Sequence, residues 1–367
     1  MCGIVGLLSR RRPLSEPIAR MTASLIHRGP DAQDIWVDDD AGVALGHSRL
    51  SIIDLSPHGA QPMLSDNGRY VVVYNGEIYN SDALRDRLGD QSPKVEWRGR
   101  SDTEVLLATI ERRGIEAALN DAEGMFAFGL WDRLQRQLYL ARDRAGEKPL
   151  YYGWVDDEFV FASELKSIRT IAKLAPDIDR SALASFTELG YIPAPSTIYK
   201  NFRKLEPGCW IRIDSLGGLP RAWPSPNRFW RVEETAADAK LRPIQSASDV
   251  IDVLDARLGK AVRSQMASDV PLGAFLSGGV DSSLIVALMQ AQSAQPVRTF
   301  TVAFDEAEFD ESPTAAAVAR HLGTEHQELR VRAEDAQRVI PLLPAIFYEP
   351  FADVSQIPTY LLSLIHI

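Results

Sequence analysis

Only two cysteines, Cys2 and Cys209, occur in the 367 residues. That excludes a disulfide-stapled scaffold and fits a reducing compartment. No apolar stretch approaches the roughly 18 residues that a membrane-spanning helix needs, so no membrane partner is expected. The N-terminus does not read as a signal peptide, because its apolar piece, Ile4 to Leu8, is short and precedes the positive charge. The expectation is a soluble, cytoplasmic protein. Basic residues are outnumbered, 40 against 50 acidic, for a formal charge of -10 and a pI of about 5.2. With no basic face, no nucleic-acid partner is expected, and the Arg10-Arg11-Arg12 run reads as a solvated loop. The six histidines show no metal-ligand spacing. No repeat or low-complexity tract is present.

What is there is ordinary globular material, 45% hydrophobic and 25% charged. At roughly 150 residues per domain, the length suggests two domains or three. The first two hundred residues read as short strands and turns. Tyr70 to Tyr74 is a β-rich run that meets Asn75-Gly76, a turn signal. Met125 to Trp131, Gln137 to Ala141, Leu150 to Val155 and Glu158 to Phe161 continue the pattern, which suggests hairpins and an antiparallel sheet. Ile18 to Leu25 and Asp102 to Arg113 read as helices, the second capped by Ser101 or Asp102. Between Asp214 and Ala247 the composition becomes Gly-, Pro- and Ser-rich, so a linker is expected over 214–247, between domains at 1–213 and 248–367. Beyond it come a helix from Val250, a strand over Pro271 to Leu276 and a helix over Ser283 to Gln292. A strand over Val297 to Phe304, a helix over Ser312 to Leu322 and a strand over Glu325 to Val331 follow. That β-α-β-α-β order predicts a parallel sheet with helices packed on it.

Position 2 carries the first chemical signal. Removal of Met1 leaves Cys2 with a free α-amine, whose ordinary pKa of about 7.7–8.0 lets it act as a base beside its own thiol. Asn75-Gly76-Glu77 adds a side-chain amide and a glycine N–H that can form an oxyanion hole, and a carboxylate that can take an ammonium group. Arg49 adds a bidentate carboxylate clamp, and Asp102 a second acceptor for an amine. Taken singly, each has a blander reading: an incidental cysteine, a hairpin turn of the Asn-Gly type, a solvated charge.

Taken in order they form a set. The pieces are Met1-Cys2-Gly3-Ile4-Val5-Gly6, His27-Arg28-Gly29-Pro30-Asp31, Gly46-His47-Ser48-Arg49-Leu50-Ser51-Ile52 and Tyr74-Asn75-Gly76-Glu77-Ile78-Tyr79-Asn80. Ser101-Asp102-Thr103-Glu104, Gly124 to Phe128 and Arg142 to Tyr152 complete it. This series resembles the class II glutamine amidotransferase domain of glutamine-hydrolysing asparagine synthetases. The resemblance implies an α+β fold, a four-layer αββα sandwich of N-terminal-nucleophile type. It implies that Cys2 attacks the glutamine amide to form a thioester, and that Asn75 and Gly76 hold the oxyanion. Arg49 would grip the substrate carboxylate, and Glu77 and Asp102 its α-ammonium. Glutamate and ammonia would be the products.

The second signal, Leu276-Ser277-Gly278-Gly279-Val280-Asp281-Ser282-Ser283, lies between an apolar strand and a helix. Two glycines let backbone N–H groups approach an anion, and the helix N-terminus adds a favourable dipole. It is not a Walker A loop, because the lysine is missing. The string is similar to the pyrophosphate loop of ATP-pyrophosphatase synthetases, an α/β, adenine nucleotide alpha hydrolase-like fold. The resemblance implies that Ser277, Gly278, Gly279, Asp281, Ser282 and Ser283 hold the β,γ-phosphates, Asp281 through Mg²⁺, with Leu276 and Val302 against the nucleoside. Glu349-Pro350-Phe351-Ala352-Asp353 through Tyr360 also resembles the family.

The family continues beyond this point with another glycine-rich acidic motif, whereas this chain stops at Ile367, so it is expected to be a fragment with an incomplete synthetase domain. The function implied is asparagine synthesis from glutamine, aspartate and ATP with Mg²⁺, with no prosthetic group. A homodimer is left open. Alternatives are an amidotransferase acting on another carboxylate, such as a sugar acid or β-lactam precursor, and a fragment with glutaminase activity alone or none.

Overall fold

Alternation of side chains across each strand decides the architecture of the N-terminal part. Val71 and Val73 point into one apolar layer while Val72 and Tyr74 point into another, the period of two that a strand buried on both faces requires. Ile4 and Leu8 share the first layer, whereas Val5 and Leu7 enter a third. A computed structural model, which describes residues 1–90, 94–172, 177–214, 223–241, 243, 244, 246–306, 308 and 310–363, shows how these layers stack. The chain divides into two compact units, Met1–Leu241 with Tyr348–Pro350, and Arg242–Phe347 with Phe351–Ile367.

Among the described residues of the first unit, twelve strands build two antiparallel sheets. They are β1 (Gly3–Leu8), β2 (Ala32–Asp38), β3 (Val43–Arg49), β4 (Met63–Leu64), β5 (Tyr70–Ile78), β6 (Gly124–Asp132), β7 (Gln137–Arg142), β8 (Tyr151–Val155), β9 (Glu158–Ala162), β10 (Phe202–Lys204), β11 (Cys209–Asp214) and β12 (Asn227–Arg228). One sheet runs in the order β10-β8-β9-β1-β3-β2 and the other β12-β11-β7-β6-β5-β4. Their facing surfaces enclose a core that includes Ile4, Leu45, Val73, Trp131, Leu140 and Phe161. Helices α1 (Ser15–Ala23), α5 (Leu165–Arg169) and α6 (Arg180–Leu189) cover the outer face of the first sheet. Helices α2 (Ser81–Gly89), α3 (Asp102–Arg113) and α4 (Ile115–Asp121) cover the second. The layers therefore read α-β-β-α, as the resemblance implies. Burial follows sequence: α3 carries Val105, Leu106 and Ile110 inward, and Ser101 caps it by accepting from the Thr103 amide.

Two local expectations are corrected. Asn75-Gly76 does not end a strand; β5 runs through it to Ile78, with Asn75 opposite Ala127 and Gly76 opposite Phe126. The neighbouring strand explains the glycine, since a Cβ at Gly76 would collide with the Met125 carbonyl and Phe126. Within the stretch expected as linker, residues 215–222, 242 and 245 lie outside the described ones, and the rest is not loop throughout. It contains β12 and α7 (Val232–Lys240), whose acidic first turn and Lys240 in the last turn suit the helix dipole.

The second unit carries the parallel sheet that the β-α-β-α-β pattern predicts. Strands β13 (Gly273–Phe275), β14 (Arg298–Phe304) and β15 (Glu325–Val331) pair in parallel in that order. Helices α8 (Ala247–Ser264), α9 (Val280–Gln292) and α10 (Ser312–Leu322) accompany them, with Leu276, Val286, Ala315 and Ala319 forming a small buried cluster. Helix α9 starts three residues before the expected Ser283, with Gly279 as its N-cap residue.

Candidate active site

Antiparallel pairing sets Cys2 at the head of β1, where Gly3 faces Ser48 of β3. Its sulfur is half-buried against the backbone just past Arg49: the Leu50 amide donates to Sγ at 3.4 Å, and the thiol donates back to the Leu50 carbonyl at 3.6 Å. Arg28 fixes the same residue from the other side, donating Nε to the Cys2 carbonyl at 3.0 Å. Burial pushes the thiol pKa up, while the Leu50 amide, the N-terminal charge, Arg28 and Arg49 oppose it. The α-amine at Met1 is moved the other way, down to about 6, by burial first and then by Arg28 and Lys148, against the thiolate and Asp31.

All six residues assigned to the glutamine site from sequence line one pocket: Cys2, Arg49, Asn75, Gly76, Glu77 and Asp102. Each is held for a local reason. Arg49, at the end of β3, donates Nη1 to the Ser56 carbonyl at 3.2 Å and Nη2 to the Asp54 carbonyl. Asp54 presents that carbonyl from a left-handed backbone, φ 54°, a strained conformation for a residue other than glycine. Gly59 leaves room for the guanidinium, because a Cβ there would overlap Nη2. Asp102, at the start of α3, accepts from the Ile78 amide at 2.8 Å and the Tyr74 hydroxyl at 3.0 Å.

Two polar atoms of this pocket have no hydrogen-bond partner among the described residues. The amide nitrogen of Asn75 is buried with no acceptor, although Asn75 is only 1% exposed. The Glu77 Oε1 is likewise buried without a donor. Burial, and then the Asp102 charge, raise the Glu77 pKa to about 7, against the pull of Lys148. Burial also raises Asp102, partly offset by the bonds from Ile78 and Tyr74. Two crowded carboxylates and a spare amide donor leave room for a cation beside the acids and a developing anion beside Asn75. His47, by contrast, is committed: it is buried, its Nε2 donates to the Tyr74 carbonyl at 3.1 Å, and burial drives its pKa down to about 3, so it stays neutral.

Sequence reasoning assigned no role to several other residues of the pocket. Gln61 holds β5 by accepting from the Tyr74 amide at 2.6 Å, and its amide donates to Thr103 at 3.3 Å. Ile52, Ile53 and Met125 supply apolar wall. Lys148 lines it too, at 4% exposure. Its signal was its place in Gly146-Glu147-Lys148-Pro149, within one of the strings that carry the resemblance.

In the second unit, the Ser-Gly-Gly loop joins the C-terminal end of β13 to the N-terminus of α9, where open parallel sheets bind ligands. Ser277 Oγ accepts from the Gly279 amide at 3.1 Å and lies 2.8 Å from the Ser282 hydroxyl. The Gly278 amide donates to the Glu311 carboxylate at 3.3 Å, so it already faces an anion. Ser283 Oγ donates to the Gly279 carbonyl at 2.8 Å. Asp281 stands exposed in the first turn of α9, Leu276 is buried beneath the loop, and Val302 sits on β14 opposite Leu329. Among the described residues no three His, Cys, Asp or Glu side chains group as a metal cage.

Two facing antiparallel sheets with helices outside, and a cysteine heading a central strand, define an αββα sandwich of the N-terminal-nucleophile type. Residues 1–223 match the family described as glutamine amidotransferase domain, and residues 253–365 the one described as asparagine synthase. The chain belongs to the glutamine-hydrolysing asparagine synthetase family. It is 33% identical to the putative asparagine synthetase (glutamine-hydrolyzing) 2 of Methanocaldococcus jannaschii, covering 99% of this chain and 71% of that protein. It is 37% identical to asparagine synthetase (glutamine-hydrolyzing) 1 of Bacillus subtilis, again over 99% of this chain but 55% of the relative's length. Amidase chry2 of Gibberella zeae is 31% identical over 89% of this chain and 50% of its own. The chain thus spans between half and about seven tenths of these relatives.

Proposed function

We propose that this protein hydrolyses glutamine at Cys2 and delivers the ammonia to an aspartyl-adenylate made from ATP, giving asparagine, glutamate, AMP and pyrophosphate. The observation that carries the first half is the shared pocket: a sulfur, an arginine and a buried amide converge with two carboxylates, the amide having no acceptor and neither acid an ion-pair partner among the described residues. With Met1 removed, the Cys2 α-amine accepts the thiol proton as sulfur attacks the side-chain carbonyl. Asn75 Nδ2 and the Gly76 amide take the oxyanion, a contribution typically of about 10²- to 10³-fold in kcat for one such donor. The Cys2 α-ammonium so formed gives that proton to the glutamine amide nitrogen, so collapse expels ammonia and leaves a thioester, which water hydrolyses to glutamate and the free Cys2 thiol. Arg49 binds the α-carboxylate, and Glu77 with Asp102 the α-ammonium.

The second half rests on the family membership and on the strand-loop-helix geometry of Ser277 to Ser283, with ATP as co-substrate. Asp281 and the serine hydroxyls are hard oxygen donors, and one carboxylate beside a phosphate loop suits Mg²⁺, which takes most of its remaining ligands from phosphate and water. The ion, when bound, neutralises phosphate charge.

Cys2→Ala tests the glutaminase reading: glutamine hydrolysis falls to background while the melting temperature stays near that of the unmodified chain. Undiminished hydrolysis places the nucleophile elsewhere. AMP and pyrophosphate formation from ATP with aspartate and ammonia tests the synthetase reading. A second reading, favoured by the likeness to amidase chry2, keeps the ammonia source and changes the carboxylate acceptor. It predicts AMP release with another acid and none with aspartate.

A further inference from the structure

Lys148 is an ammonium group with little to hold it. It is 4% exposed, yet no carboxylate among the described residues reaches it at ion-pair distance, and its Nζ donates only to the Met1 thioether at 3.1 Å. A buried cation on so weak an acceptor is costly unless its charge serves something else. Its backbone is fixed on both sides. The Lys148 amide donates to the fully buried carboxylate of Asp143 at 3.0 Å, and its carbonyl accepts from Arg142 Nε at 2.7 Å. The side chain is thereby presented to the pocket wall beside Met1, Cys2 and Glu77.

We propose that Lys148 is a positioning residue for the N-terminal nucleophile, its unpaired ammonium facing the chain start and keeping the α-amine there unprotonated. The inference rests on the glutaminase reading. The charged groups around the Met1 amine, one residue ahead of the amine that excision exposes on Cys2, are the Cys2 thiol, Arg28, Lys148 and Asp31. Those around Lys148 are Arg28, Glu147, Asp143 and Glu77. A neighbouring cation disfavours the ammonium form, so Arg28 and Lys148 act in the same direction and the Cys2 thiolate and Asp31 oppose them. Excision of Met1 removes that thioether, the one acceptor that Nζ has among the described residues.

The test compares Lys148→Met with Lys148→Arg. The pH profile of kcat/KM for glutamine hydrolysis gives one readout. The pH dependence of α-amine acetylation by acetic anhydride, followed by mass spectrometry in the Cys2→Ala background, gives another that needs no activity. Loss of the charge in Lys148→Met should move the acidic limb and the acetylation midpoint to higher pH by about one unit, roughly a tenfold change in the free-base fraction on the acid side. Lys148→Arg should leave both in place, and Lys148→Gln substitutes for Lys148→Met if the latter does not fold. Unmoved midpoints in Lys148→Met, or an equal shift in Lys148→Arg, overturn the proposal. Absence of any Cys2-dependent hydrolysis instead sinks the glutaminase reading, and the acetylation midpoints still decide the role of Lys148.

Discussion

Arg28 links Cys2 to a half-buried acid: Nε donates to the Cys2 carbonyl at 3.0 Å, and Nη1 to Glu164 at 2.9 Å. Glu164 also pairs with Lys166 at 2.8 Å and lies 3.0 Å from His27 Nε2. The proposed nucleophile is therefore tied through one guanidinium to the loop after β9.

That cluster gives a stability prediction. Burial alone would raise the Glu164 pKa, but hydrogen bonds from His27 and Lys166 and the charge of Arg28 bring it down to about 2. A carboxylate lowered on folding stabilises above its unfolded value, near 4.5, and loses that contribution as pH falls toward 2. Glu164→Gln should therefore lower the melting temperature at pH 7 and flatten its fall between about pH 4.5 and 2. The contribution at neutral pH is on the order of 3 kcal/mol. Thermal scans across pH check it; identical acid limbs would remove Glu164 from the account.

Glu77 titrates near neutrality in the free protein because burial and Asp102 hold its pKa at about 7. Binding an ammonium group there requires the carboxylate, so glutamine binding should strengthen as pH rises through 7 and release a proton below it. Calorimetry on Cys2→Ala in buffers of differing ionisation enthalpy reads that proton. Glu77→Gln should abolish the release and weaken binding.

Arg49 and Asn75 should separate binding from chemistry. Arg49→Lys loses the two-pronged clamp held by Ser56 and Asp54, so KM should rise at least tenfold, about 1.4 kcal/mol or more, with a smaller change in kcat. Asn75→Ala removes the spare amide donor, so kcat should fall about 10²-fold while KM changes little. Steady-state kinetics on both variants distinguishes the two patterns.

The candidate site was legible because its residues sit in short ordered strings. Cys2, Arg49, Asn75, Gly76, Glu77 and Asp102 were named from sequence, and one pocket contains them all. The layer order was legible through the family resemblance. The local form at Asn75-Gly76 was not: an Asn-Gly pair signals a turn, but nine residues of pairing with β6 carry β5 through it. Helix α7 was missed because Gly- and Pro-rich neighbours masked a short run of helix formers. Lys148 was missed as a pocket residue because one lysine in a string has no partner that sequence can name, and its meaning lies in the burial and the missing carboxylate. The placing of the Ser277 to Ser283 segment between β13 and α9 followed from the strand-loop-helix order read in the sequence.

The central claim is that the Cys2 sulfur is the nucleophile of a glutamine-binding pocket. Incubation of the purified chain with an electrophilic diazoketone analogue of glutamine, followed by peptide mass spectrometry, tests it most directly. The account predicts one adduct on the peptide that begins at Cys2, formed with loss of nitrogen, blocked by excess glutamine and absent in Cys2→Ala. Labelling at Cys209, or at Cys2 with no protection by glutamine, would contradict it.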